Sequence, residues 1–275
     1  MPLYTLTGKR KACAQAVVDI ANQRKNTMMK VALVTGASRG IGRATALLLA
    51  RQGYAVGVNY LRDESAARQV VAEIEAQGGK ALALQADVAD ETQVMAMFRA
   101  LDAGLGTLSA LVNNAGILFR QANIEQLTAE RINKVLGTNV TGYFLCCREA
   151  VKRMAQRHGG QGGAIVNVSS AASRLGASGE YVDYAASKGA VDSLTIGLSL
   201  EVAAQGIRVN GVRPGLIYTE IHASGGEPGR VDRVKSSLPM QRGGQPQEVA
   251  EAIAWLLSDA ASYVTGTFIE AAGGR

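Results

Sequence analysis

From residue 30 to the C-terminus, short apolar runs alternate with longer amphipathic stretches, and this alternation narrows the fold more than any other feature of the chain. The runs fall at 30–35, 54–60, 80–85, 109–113, 163–169, 206–212 and 266–270. Between most of them, apolar residues recur at three and four over 41–52, 64–77, 91–103, 128–156, 184–204 and 246–258, the period of a helix with one buried face. Asp90, Thr128 and Gln245-Pro246 suit helix starts, and Gly53, Gly78-Gly79 and Gly206 suit helix stops.

Strands that are apolar along their whole length need cover on both faces. Right-handed strand–helix–strand crossovers supply it, so the expected fold is α/β: a single-domain doubly wound parallel sheet, Rossmann-like, of about seven strands with helices on both faces. The stretch 216–245 departs from the alternation and is rich in Gly and Pro. It is expected to form a long loop over the site.

The net charge of +6 is unevenly placed. Lys9, Arg10, Lys11, Arg24 and Lys25 face only Asp19 within residues 1–27, so the rest of the chain carries +2. That near-neutral body carries no basic footprint for nucleic acid. Cys13, Cys146 and Cys147 have neither a disulfide framework nor metal-ligand spacing, and the adjacent pair reads as small core residues in a reducing cytoplasm. No apolar run approaches the ~18 residues that span a bilayer. Gln15 and Asp19 interrupt the only apolar stretch near the N-terminus, which does not read as a signal peptide. Residues 1–27 are expected to be an extension dispensable for catalysis, and 28–275 the catalytic domain.

Immediately after the first strand run, Gly36, Ser38, Arg39, Gly40, Ile41 and Gly42 lead into a helix. Glycines there permit a tight turn and close approach of a diphosphate to backbone N–H groups at the positive end of the helix dipole. The spacing differs from G-x-G-x-x-G, but the strand-loop-helix setting is the one a dinucleotide requires. The same residues spell the G-x-S-x-G elbow of a serine hydrolase, which needs a histidine later in the chain. Only His158 and His222 are present, and His158 sits in a polar helix exit. The end of the second strand reads Val58-Asn59-Tyr60-Leu61-Arg62, with no carboxylate before Asp63. An acid there would bind the ribose hydroxyls and repel a 2′-phosphate, whereas Arg39 and Arg62 would attract one. NADP(H) is therefore favoured, with NAD(H) the second candidate.

Tyr184 and Lys188 lie four apart in a helical stretch, which puts them on one face one turn apart. A nearby ammonium favours the phenolate, so Tyr184 suits an acid when a carbonyl is reduced and a base when an alcohol is oxidised. With the glycine loop, NNAG (113–116), Asn139, NVSS (167–170), YAASK (184–188) and RPGLIYT (213–219), the chain resembles the short-chain dehydrogenase/reductase family across about residues 30–275. It looks nearest to glucose 1-dehydrogenase-like and 3-oxoacyl-carrier-protein reductase-like members.

The resemblance implies a catalytic tetrad of Asn139, Ser170, Tyr184 and Lys188. Ser170 would hold the substrate oxygen, Lys188 would lower the Tyr184 pKa and bind the nicotinamide ribose, and Asn139 would hold a water in a relay to Lys188. It also implies cofactor contacts from Tyr184 and Lys188 themselves, from Asp87-Val88, from Asn113, Ala115 and Gly116, and from Pro214, Gly215, Ile217 and Thr219. Ser169 and Ser170 point to opposite faces in a strand, so only one of them serves. Glu180, Tyr181, Leu216, Tyr218 and His222 are expected around the substrate, and Arg230, Arg233, Lys235 and Arg242 are candidates for a basic surface. The expected protein is a cytoplasmic, homotetrameric oxidoreductase acting on a small carbonyl or secondary alcohol, with no nucleic-acid or membrane partner. The alternatives are a serine hydrolase and a non-catalytic cofactor-sensing scaffold.

Overall fold

The structure is a computed structural model that describes residues 29–275; the predicted N-terminal extension, with Cys13, lies outside the described residues. Seven parallel strands form one sheet in the order β3-β2-β1-β4-β5-β6-β7. They are β1 (Val31–Val34), β2 (Ala55–Tyr60), β3 (Ala81–Gln85), β4 (Leu108–Asn113), β5 (Gly163–Val168), β6 (Ile207–Pro214) and β7 (Phe268–Ala271). The strand order reverses direction at β1 and β4, and a doubly wound sheet opens a crevice at the C-terminal ends of its strands at such a point.

The long helices are α1 (Gly40–Arg51), α2 (Glu64–Ala76), α3 (Glu91–Leu105), α4 (Ala129–Leu136), α5 (Gly142–Met154), α6 (Val182–Val202) and α7 (Pro246–Leu257). Two buried layers result. On one face Leu49, Val70, Ile74 and Ile253 pack on Val34, Val58 and Val166. On the other, Phe98, Leu101, Cys146 and Met154 pack on Leu33, Leu111 and Ile165. Each fully buried side chain of this size contributes about 1.5–3 kcal/mol. Both cysteines are in the second layer, where burial pushes the Cys147 thiol up to about 12 and Cys146 higher still. They are inert core residues, in line with the sequence reading.

The capping signals hold. Asp90 accepts from Gln93 N at 3.0 Å ahead of α3, and Thr128 accepts from Arg131 N at 3.2 Å ahead of α4. One element differs. The periodicity predicts a single helix over 128–156, but a π-helical turn at Gly137–Thr141 separates α4 from α5. The extra residue in that turn carries Asn139 to a fully buried position where its amide bonds backbone of the loop after β4. The segment 216–245 is more structured than expected. Helical turns at Ile221–Ser224 and Arg230–Val234 fold over a small core of Leu216, Val231 and Leu238. Among the described residues, no helix is long and apolar enough to cross a membrane.

Candidate active site

A cleft of about 900 Å³ runs along the C-terminal edge of the sheet. One end is built on the loop from β1 to α1. Gly36 adopts φ +61°, and a Cβ there would stand 3.0 Å from Ala115 Cα. At Gly42 a Cβ would stand 2.3 Å from Gly36 O and 2.5 Å from Asn114 Nδ2, so α1 can lie this close to its own loop only with glycine at 42. Asn114 fastens the loop by donating to Thr35 O (2.9 Å) and Gly36 O (3.1 Å). Asn59, almost fully buried, accepts from Gly36 N at 3.1 Å and donates to Leu84 O and Ala86 O at 3.1 Å each. One amide thereby ties together the ends of β1, β2 and β3.

The start of α1 differs from the starts of its neighbours. Helices α2, α3 and α4 are capped by the side chains of Asp63, Asp90 and Thr128. Helix α1 has no side-chain cap and no acidic residue in its first turn. Its unpaired N–H groups open into the cleft beside Ser38, Arg39, Gly40 and Ile41. Uncapped donors at a helix N-terminus with glycine-permitted access fit a diphosphate. Arg39 and Arg62 are exposed at the same end, and neither has an ion-pair partner among the described residues. No carboxylate stands in β2 or directly after it, so Arg39 and Arg62 are the cations of that end, with Asp63, Asp87 and Glu220 also in its lining.

At the centre of the cleft, Tyr184 and Lys188 project from one face of α6, as their spacing requires. Lys188 is buried; Nζ donates to Val168 O at 2.8 Å and to Tyr143 Oη at 3.2 Å, and stands 5.6 Å from the Tyr184 ring centre. Desolvation pulls its ammonium down to about 7. Desolvation likewise pushes the Tyr184 phenol up to about 12, with the Ser170 hydroxyl pulling the other way. Among the protein's own groups, then, burial outweighs the Ser170 hydrogen bond at Tyr184, and the net direction is opposite to the one expected from the Tyr–Lys spacing alone. A phenol held up in this way keeps its proton at neutral pH and has it available to give away.

The two serines sit just past β5, both in the cleft lining, and differ in burial. Ser169 is buried and donates to Lys188 O at 3.3 Å. Ser170 faces the cleft, with Oγ accepting from Ala172 N at 3.1 Å. Gly36, Asn59, Tyr60, Asp87, Val88, Ala115, Gly116, Pro214, Gly215, Ile217 and Thr219 also line the cleft. Asp87 has one oxygen committed to Ala89 N at 2.9 Å.

Three residues named from the sequence stand behind the cleft instead of in its lining. Gly42 is the packing glycine described above. Asn113 is buried and donates to Asn167 Oδ1 at 2.9 Å; its neighbour Asn114, which the sequence reading passed over, takes the lining position. Asn139 accepts from Ile117 N (2.8 Å) and donates to Ile117 O (2.9 Å) and Ser187 Oγ (3.0 Å). Its amide braces the loop after β4 against α6. Tyr143 was also missed, because a buried tyrosine in an apolar helix carries no local sign that it meets Lys188.

At the far end of the cleft stand Ile117, Leu118, Phe119, Leu175, Tyr181, Leu216, His222, Glu180 and Arg230. Tyr218 is not among them and instead donates to Asp232 at 2.9 Å. The four candidate basic-surface residues are each neutralised. Arg230 pairs with Glu180 and Glu227, Arg233 with Glu227, Lys235 with Asp232 and Arg242 with Glu248. They form no free basic surface, because each lies within reach of a carboxylate on its own or a facing loop. Neither histidine serves Ser38: His222 Nε2 donates to Ile217 O at 2.9 Å, and His158 contacts Arg157.

A seven-stranded parallel sheet, an uncapped glycine-loop helix start and a Ser–Tyr–Lys centre in one cleft define a nucleotide-dependent dehydrogenase or reductase by class. The comparisons agree: the family described as enoyl-(acyl carrier protein) reductase matches residues 36–275, and the chain belongs to the short-chain dehydrogenase/reductase family of oxidoreductases. The chain is 74% identical over 247 residues to the uncharacterized oxidoreductase YgfF of Escherichia coli K12, covering 90% of this chain and 100% of that protein. It is 40% identical to the 3-oxoacyl-[acyl-carrier-protein] reductase FabG of Staphylococcus aureus, over 90% of this chain and 98% of that one. A short-chain dehydrogenase from Burkholderia cenocepacia, solved in complex with NADP, superposes with a TM-score of 0.82 at 34% identity, covering 90% and 98% of the two chains.

Proposed function

We propose that the protein reduces a small carbonyl compound to a secondary alcohol, or runs the reverse reaction, using NADP(H), with Tyr184 as the acid/base. The carrying observation is the placement of Tyr184, Ser170 and Lys188 in a cleft whose glycine-loop end has an uncapped helix start with Arg39 and Arg62 beside it. When bound, the cofactor supplies or accepts the hydride. Gly36, Ser38, Gly40 and Ile41 would hold its diphosphate against the start of α1, and Arg39 and Arg62 its 2′-phosphate. Ser170 Oγ donates to the carbonyl oxygen and stabilises the charge that grows there. Tyr184 Oη gives that oxygen its proton, and its high pKa keeps the proton in place until then. The far wall, which mixes apolar and polar side chains, suits a small organic substrate.

Cofactor choice is the first test. Titrated by fluorescence, NADPH is expected to bind more tightly than NADH. The Arg39→Ala/Arg62→Ala variant is expected to lose about ten- to hundredfold in NADPH affinity, with NADH affinity little changed, the scale of one or two charge-assisted hydrogen bonds. Equal losses for both cofactors would remove the arginines from 2′-phosphate recognition. Failure of either cofactor to bind the folded protein would return the hydrolase and scaffold readings.

The protein is further proposed to form a homo-oligomer through α5 and α6. Val191 and Val202 face the protein's own sheet, but Phe144, Ile196 and Leu200 are 52%, 49% and 77% exposed on the outer side of the same helices. Ile196 and Leu200 lie four apart on one face of α6, and large exposed apolar side chains of this kind mark an interface. Leu200→Arg is expected to shift sedimentation from an oligomer toward monomer; an unchanged profile would place the interface elsewhere.

A further inference from the structure

We infer that Arg131 and Asp183 form a positioning clamp that sets the distance between the proton donor and the substrate wall of the cleft. The inference rests on the proposed role of Tyr184. Neither residue lines the cleft, and neither carries a recognisable motif. Asp183 directly precedes Tyr184 in the first turn of α6, and its Oδ1 accepts from Tyr184 N at 3.0 Å. Arg131 projects from α4, with Nε 2.8 Å from Asp183 Oδ2 and Nη2 3.3 Å from Asp183 Oδ1. The third arm of the same guanidinium, Nη1, donates to Arg120 O at 2.8 Å, and its plane lies 5.7 Å from the Phe119 ring centre. Phe119 is part of the cleft wall.

One planar group thus holds two pieces of the site that no strand pairing joins directly. On one side is the first turn of the helix bearing Tyr184; on the other is the loop after β4 that carries Ile117, Leu118 and Phe119 to the substrate. The side chains are largely removed from water, 16% and 3% exposed. A pair this buried gains little net stability over an apolar pair, because desolvation offsets the attraction. What it supplies is geometry. A guanidinium fork meets a carboxylate in one orientation, and its remaining arm fixes a third point. Lysine offers a single point charge and cannot hold Asp183 and Arg120 O in the same way. Asn139 braces the same loop to α6 one turn further along, through Ile117 and Ser187. Ala122 N donates to Glu180 O at 3.1 Å as a further backbone tie, and Arg131 supplies the side-chain tie at the residue next to the proton donor.

The test uses the full chain with Arg131→Met, Arg131→Lys and Asp183→Asn. Carbonyl reduction is followed by NADPH consumption, NADPH affinity by fluorescence, and backbone amide exchange by mass spectrometry. The expected result is a kcat lowered about tenfold or more in each variant, the scale of a small misplacement of reacting groups, with NADPH Kd within about twofold of the parent. The double variant Arg131→Met/Asp183→Asn is expected to be no worse than the poorer single variant, since both substitutions break the same contact. Amide exchange is expected to rise together in the segments 117–123 and 181–187. A merely structural pair would lower the melting temperature and leave kcat of the folded protein unchanged, which would overturn the inference, as would exchange confined to α4. Should Arg131→Met or Asp183→Asn not fold, Arg131→Lys keeps the charge and decides by the same readings. If the parent reduces no carbonyl, the proposed function fails, while the paired exchange in 117–123 and 181–187 still decides whether the clamp exists.

Discussion

Replacing Tyr184 with phenylalanine is expected to lower turnover by on the order of 10³-fold, the worth of a positioned general acid, while NADPH affinity stays near that of the parent. The change removes one oxygen. The ring stays on α6 one turn before Lys188, and the hydroxyl's neighbour is the cleft-facing Ser170, not a buried core group. No interior donor or acceptor is orphaned, so the melting temperature is expected to hold. Steady-state reduction of a panel of aldehydes, ketones and 3-oxoacyl thioesters measures the first quantity, and thermal unfolding the second. Turnover that survives in Tyr184→Phe would mean that another group delivers the proton, and the assignment of the acid would be wrong. Loss of NADPH binding in the same variant would instead place Tyr184 in cofactor recognition.

Lys188→Met is expected to abolish turnover and at the same time to raise stability near neutral pH. Burial holds the Lys188 pKa at about 7, below its ordinary value of 10.5. The unfolded chain therefore binds the proton more tightly than the folded one, and stability from this group rises with pH between those two values. Its cost is fully present below about pH 7 and is gone above about pH 10.5. Methionine fills a similar volume without that cost. The acceptor left behind is not orphaned, because Tyr143 Oη still donates to Val168 O at 3.0 Å. The gain in melting temperature is thus expected to be largest at about pH 6 and to shrink toward pH 10. A melting temperature below the parent's at about pH 6 would show that the two Lys188 hydrogen bonds stabilise more than its burial costs. Such opposition between stability and activity is common at catalytic centres, where a strained or buried polar group is kept for its chemistry.

The layout of the sheet was legible because its signals are local. A run of apolar residues, a capping Asp or Thr and a terminating Gly each act within a few residues, so α3, α4 and α7 begin where Asp90, Thr128 and Gln245 indicate. The glycine loop and the Tyr184–Lys188 face were legible for the same reason. The break at Gly137–Thr141 was not, since apolar periodicity continues through a π-helical turn and only the bonds of Asn139 to Ile117 reveal why the extra residue is there. Asn113 and Asn114 are adjacent and chemically identical. Which of them faces the cleft depends on where β4 ends, and strand ends are the least certain part of any sequence reading.

The sequence by itself determined the parallel α/β architecture, the dinucleotide loop and the paired Tyr184 and Lys188, because helix and strand periods turn spacing directly into faces. The electrostatics were decided by the tertiary structure. Arg230, Arg233, Lys235 and Arg242 read in the chain as candidates for a basic surface or as a solvated loop, and in the fold they are neutralised by Glu180, Glu227, Asp232 and Glu248. Tyr184 and Lys188 owe their shifted pKa values to burial, which no spacing records. Arg131 meets Asp183 across 52 residues of sequence. Contacts at that range arise only when α4 and α6 pack together, since their distance is set by the sheet beneath them and not by the chain between them.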